Sequence, residues 1–119
     1  MASSPSRLRV GEINGVTKVE FLDRNILDEA NIQQIGEEIG KLVDSKVQPK
    51  LLVSFANVDH LSSAALGTLI TLRHKVDSKD GQLRLSDIKP QIHSIFVITK
   101  LTKLFQIHDT AADAMKSFA

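Results

Sequence analysis

The sequence predicts a single α/β domain, a mixed β-sheet with helices packed against it, in the order β-β-α-β-α-β-α-β-α. Two observations lead to this. Segments whose apolar residues recur every three or four positions alternate along the chain with short apolar runs, and the chain opens on two short strand-like runs flanking Asn14-Gly15. A third is length: 119 residues are enough to bury one core and too few for two. The domain is expected over residues 7–119, behind a Ser-rich, polar, flexible N-terminal arm at residues 1–6.

The first two strands are expected at residues 7–13 and 16–22, because Asn14-Gly15 tolerates the positive φ of a tight hairpin turn. Residues 28–45 follow as an amphipathic helix with Ile32, Ile35, Ile39, Leu42 and Val43 on one face and Asp28 as its cap. Pro49 ends that segment, and residues 50–55 (KLLVSF) read as a strand buried on both faces. Asn57-Val58-Asp59-His60 is the turn that leaves it. A second helix begins at Ser62 or Ser63, both good caps, and runs to Asp80-Gly81 with Ala65, Leu66, Leu69, Leu72 and Val76 on its apolar face. Residues 82–86 give a strand. Pro90 then opens a helix to about Thr99, residues 104–108 return as the last strand, and Thr110 with Asp113 forms a capping box for a closing helix whose face is Ala111, Ala114, Met115 and Phe118.

Composition removes several function classes. The absence of cysteine excludes disulfides, thiolate metal sites and a cysteine nucleophile, and is consistent with a cytoplasmic protein. Fifteen basic against fourteen acidic residues, scattered along the chain, give no basic stripe for nucleic acid, and with no Trp or Tyr there is no stacking platform for bases. No apolar run approaches the length needed to cross a bilayer, and the first residues lack the apolar core of a secretory signal. His60, His74, His93 and His108 stand singly, so no metal site is expected, and no cofactor. Asp59, His60 and Ser62 contain the residue types of a hydrolase triad, but they lie within four positions and no Gly-x-Ser-x-Gly elbow is present, so the chain is not expected to be an enzyme. Gly36 and Gly40, four apart on the first helix, suit close packing, and Lys41, Arg73 and Lys75 suit an ordinary charged surface.

The informative stretch is residues 53–76, VSFANVDHLSSAALGTLITLRHKV, in which a buried strand, a short loop and a serine pair lead into a helix. It resembles the STAS domain of bacterial anti-sigma factor antagonists, whose pattern is an apolar strand and then Asp-Ser-Ser/Thr-Gly-Leu-Gly at a helix start. Leu66-Gly67 sets the register, placing Ser63 at the family's phosphorylated serine, Ser62 at the preceding Asp and Ala65 at its first Gly. Ser62 and Ala65 depart from the pattern, and Ser62 stays open as a second choice of phosphoacceptor. The likeness continues over nearly the whole chain from about Leu8, with residues 98–105 resembling the segment before the last strand and Asp28 matching an acidic residue near the phosphorylation site.

This resemblance implies a STAS-like single domain that binds an anti-sigma factor with serine kinase activity, of the histidine-kinase-like ATPase type, in a partner-switching system. Phosphorylation inactivates the antagonist and a separate phosphatase resets it. The partner-binding surface it implies comprises Asp28, His60, Leu61, Ser62, Ser63, Ala64 and Gly67, without nucleic-acid contact or membrane insertion. Physical chemistry accommodates the switch, since a helix N-terminus tolerates an added phosphate while its charge disrupts a docked partner. The competing expectation is a constitutive STAS scaffold or an accessory subunit of a lipid or anion transporter, which the loss of Asp at Ser62 favours. A nucleotide- or anion-binding domain is a third, without a Gly-rich phosphate loop to support it.

Overall fold

In the computed structural model, residues 8–26 and 28–118 are described; the expected arm at residues 1–6 and the strand start at Arg7 lie outside the described residues. A hairpin opens the fold, β1 (Leu8–Ile13) and β2 (Val16–Phe21), joined by a turn with Asn14 at φ 51 and Gly15 at φ 81. Both central residues are left-handed, as a two-residue hairpin turn that follows the strand twist demands. Then come β3 (Asn25–Ile26), α1 (Glu29–Asp44), β4 (Lys50–Ser54), β5 (His60–Leu61), α2 (Ser63–Ser78), β6 (Gln82–Ser86) and α3 (Pro90–Ile98). A 3-10 turn at Leu101–Lys103, β7 (Gln106–His108) and α4 (Ala111–Lys116) complete it.

The main sheet has the order β1-β2-β4-β6-β7, antiparallel between β1 and β2 and parallel thereafter. Alternate residues of its strands, Val19, Phe21, Leu51, Val53, Leu83 and Leu85, meet the apolar faces of α1, α2 and α3 in one core. The intervening positions Val16 and Leu52 pack instead against Ala114 of α4, so α4 lies on the opposite side of the sheet. Helix α2 buries the five residues that its periodicity selects, Ala65, Leu66, Leu69, Leu72 and Val76. Helix α1 likewise buries Ile32, Ile35, Ile39 and Val43. Four phenylalanines run through the core in a chain: Phe21 to Phe55 at 5.0 Å between ring centroids, Phe55 to Phe96 at 6.4 Å and Phe96 to Phe105 at 5.9 Å.

Two details differ from the sequence expectation. The last strand is shorter than residues 104–108, because Lys100 adopts a left-handed φ of 61 that ends α3, and the chain tightens into the 3-10 turn with Leu101 buried before β7 can start. Two strands of two residues each, β3 and β5, are additional. They pair in parallel as a separate ribbon, Asn25 with His60 and Ile26 with Leu61. At the far end of α2, Gly81 is required by space: a Cβ there would lie 2.3 Å from the Pro49 carbonyl oxygen, where the backbone turns from α2 into β6.

Candidate functional site

The short β3–β5 ribbon determines how the site is built. Each of its parallel strands runs almost at once into a helix cap, β3 into Asp28 and β5 into Ser62, so the N-termini of α1 and α2 start side by side and point the same way. The Ser62 amide donates to the Ile26 carbonyl at 3.1 Å, which fixes the two cap regions to one another. Asp28 caps α1 by accepting from the Ala30 amide at 2.9 Å. Ser62 caps α2 in the same manner, its hydroxyl accepting from the Ala65 amide at 3.2 Å.

This assignment separates the two serines. Ser62 is half-buried with its oxygen committed to the helix end, whereas Ser63 is the first residue of the helix, exposed, and its hydroxyl has no hydrogen-bond partner among the described residues. Beside it, Ala64 and Gly67 are exposed on the same first turns, and His60 is exposed on β5. Leu61 is different. Its side chain is turned inward, only 7% exposed, and it supports the surface from beneath rather than forming it. Asp28 is exposed at the neighbouring helix end. Six of the seven expected surface residues are therefore exposed or half-buried at or near the paired helix starts, and Leu61 is buried.

Between α1 and α2 runs an open groove of about 780 Å³ that reaches this face, with Gln33, Gly36, Ala64, Gly67 and Thr71 among its lining. Gly36 lets the helices approach, since a Cβ there would stand 3.0 Å from the Thr68 methyl. Gly67 has open space where its Cβ would be, so its lack of a side chain leaves the surface flat rather than relieving a clash.

Sequence reasoning missed the charged cluster behind the loop. Asp59, placed there in the turn after β4 and weighed as a triad member, accepts a hydrogen bond from the Lys89 ammonium and lies 3.8 Å from the Arg24 guanidinium. The Arg24 carbonyl in turn accepts from the Asp59 amide at 2.7 Å and the His60 amide at 3.1 Å. Asp59 thus faces two cations rather than orienting His60, and Ser62 is occupied as a cap, so the three do not assemble as a triad. The one sequence signal was Pro90, which marks Lys89 as the residue where a helix begins.

The Lys89 hydrogen bond holds the Asp59 carboxyl below its usual range; burial opposes this, and the charges of Lys89, Arg24 and His60 add to it. A carboxyl depressed on folding adds stability that is present above its unfolded pKa of about 3.9 and is lost as the pH falls through the lower folded value. The melting temperature of the native chain is therefore expected to exceed that of Asp59→Asn at pH 6, with the gap closing as the pH is lowered below the unfolded pKa of about 3.9. A gap that stays constant across thermal melts in this range would show that the ion pair adds nothing.

Among the described residues no group of three or more acidic or histidine side chains is placed to hold a metal, and no helix is long and apolar enough to cross a membrane.

Comparison with known proteins agrees with this architecture. The candidate anti-sigma factor antagonist BtrV of Bordetella bronchiseptica is 23% identical over 95 residues, covering 80% of this chain and 81% of the relative. A solved STAS domain protein from Planctomyces limnophilus superposes with a TM-score of 0.84 at 18% identity, over 92% of this chain and 96% of that one. The Bacillus cell fate determinant SpoIIAA, solved in its phosphorylated form, has the same fold at a TM-score of 0.68 and 12% identity, over 92% and 96% of the two chains. The STAS domain model matches residues 11–114, from within β1 to within α4, and the chain belongs to the STAS domain family.

Proposed function

We propose that this chain is an anti-sigma factor antagonist that binds an anti-sigma factor kinase through the face around the N-termini of α1 and α2, and that phosphorylation of Ser63 releases it. The observation that carries the reading is the division between the serines: Ser62 caps the helix, and Ser63 offers a free, exposed hydroxyl one residue further on. Family membership, and relatives bearing the antagonist name, support the partner class. A serine in the first helical turn is also where a phosphate meets unpaired amides and the positive end of the helix, so modification leaves the fold standing. On the surface the same group adds roughly −1.5 to −2 charges, which oppose a docked partner. A phosphatase restores the unmodified form, and the chain acts in the cytoplasm as a substrate and ligand rather than as a catalyst.

The test is site mapping by mass spectrometry after incubation with a cognate anti-sigma factor kinase and ATP. The phosphate is expected on Ser63, with labelling lost in Ser63→Ala and retained in Ser62→Ala. Phosphate on Ser62 would shift the site by one residue. Absence of labelling on either serine would replace the switch with a constitutive scaffold.

A further inference from the structure

We propose that Asp59 is a positioning residue for the turn that presents Ser63, acting through its ion pair with Lys89; as a statement about phosphorylation this rests on the reading of Ser63 above. The turn needs such a tie. The β3–β5 ribbon below it has two residues per strand and belongs to a sheet of its own, and a two-stranded ribbon is marginal without support from elsewhere. Its backbone bonds, from the amides of Asp59, His60 and Ser62 to the carbonyls of Arg24 and Ile26, connect the ribbon only to itself.

What anchors it to the domain comes largely from side chains. Ile26, Val58 and Leu61 are buried, and the Asn57 amide group donates to the Phe21 carbonyl at 3.2 Å. These contacts, with the Val58 amide donating to the Phe55 carbonyl at 2.9 Å, hold the ribbon and its turn down onto the core, and a further tie runs to the start of α3. There Lys89, the cap residue of α3, reaches Asp59, and Arg24 stands on the carboxylate's other side at 3.8 Å. The carboxylate therefore joins three segments distant in sequence: the connection after β2, the turn after β4 and the start of α3. Asp59 lies four residues before Ser63, and only the two residues of β5 and the cap Ser62 intervene. A turn fixed at Asp59 delivers Ser63 in one place, and a turn released there spreads it over many.

The pair is partly exposed, with 27% and 35% of the two side chains accessible, so it governs local opening far more than global stability. Hydrogen exchange measured by mass spectrometry on the purified chain reads this without any kinase. In Asp59→Asn and Lys89→Met, the segment spanning residues 57–63 is expected to exchange about three- to fivefold faster, the change that loss of one partly screened ion pair produces in a local opening equilibrium. Segments within β4 and β6 should be unchanged, and Lys89→Arg should keep native protection. With the kinase, Asp59→Asn should lower kcat/KM for Ser63, by less than the change in exchange because the closed turn stays the major state, while Lys89→Arg does not. Unchanged exchange in the turn, or a rise spread evenly over the domain, would overturn the proposal. If the native chain were never phosphorylated at Ser63, the reading of the site would fail, while the exchange pattern would still decide whether the pair holds the turn.

Discussion

Phe55→Ala is expected to remove about 3–5 kcal/mol of stability, the range for deleting a fully buried aromatic ring. Phe55 is 0% exposed and sits in the middle of the aromatic chain, against Phe21 on one side and Phe96 on the other. Its loss therefore opens a cavity and strips both neighbours of a tilted or edge-on ring contact. Against a total of about 5–15 kcal/mol for a domain of this kind, the variant should be close to unfolding at physiological temperature. Val47→Ala is the control, since Val47 is 88% exposed and its loss should stay within about 0.5 kcal/mol. A urea titration in which the two variants shift the midpoint equally would show that the core is placed wrongly.

Ser63→Asp is expected to weaken binding of the proposed kinase partner about tenfold or more, with the melting temperature nearly unchanged, because the added charge falls on an exposed residue of the proposed contact surface rather than in the core. One carboxylate carries less charge and fewer acceptor oxygens than a phosphate, so genuine phosphoserine should weaken binding further. Gly67→Ala makes the complementary case. A Cβ at this helical position meets nothing within 4 Å, so the helix should gain up to about 1 kcal/mol of stability, while the methyl group stands on the proposed contact surface. Calorimetric melts and titrations of the kinase should therefore move in opposite directions for this variant. Native affinity in both variants would remove this face from the interface.

The sequence made most of the architecture readable because its large elements obey strong periodicities. The apolar faces of α1 and α2 follow from three- and four-residue spacing, and the first turn follows from Asn14-Gly15. The β3–β5 ribbon was not legible, since two residues per strand cannot show an alternation. Nor was the 3-10 turn: Leu104 and Phe105 look like the start of a strand until the left-handed Lys100 is known to redirect the chain. At the candidate site, serine type alone could not divide cap from free hydroxyl, because both serines are good N-caps. One hydrogen bond, from the Ala65 amide to Ser62, divides them. The link from Asp59 to Lys89 was hidden for another reason, because ion pairs between distant loops leave no local pattern.

The strand order also dictates a sequence of events as the chain is made. Within the main sheet the hairpin of β1 and β2 is the one pairing between neighbouring segments. Every other ladder is parallel and has to wait for a helix, Thr17 meeting Leu51, Lys50 meeting Gln82 and Leu85 meeting Ile107. Ala114 then covers Val16 and Leu52 from the far side. A chain emerging from a ribosome thus offers its second strand early and receives the cover for it only after the other strands of the sheet. Until that helix has been synthesised, one side of the central strands faces water, or whatever else is there to bind it.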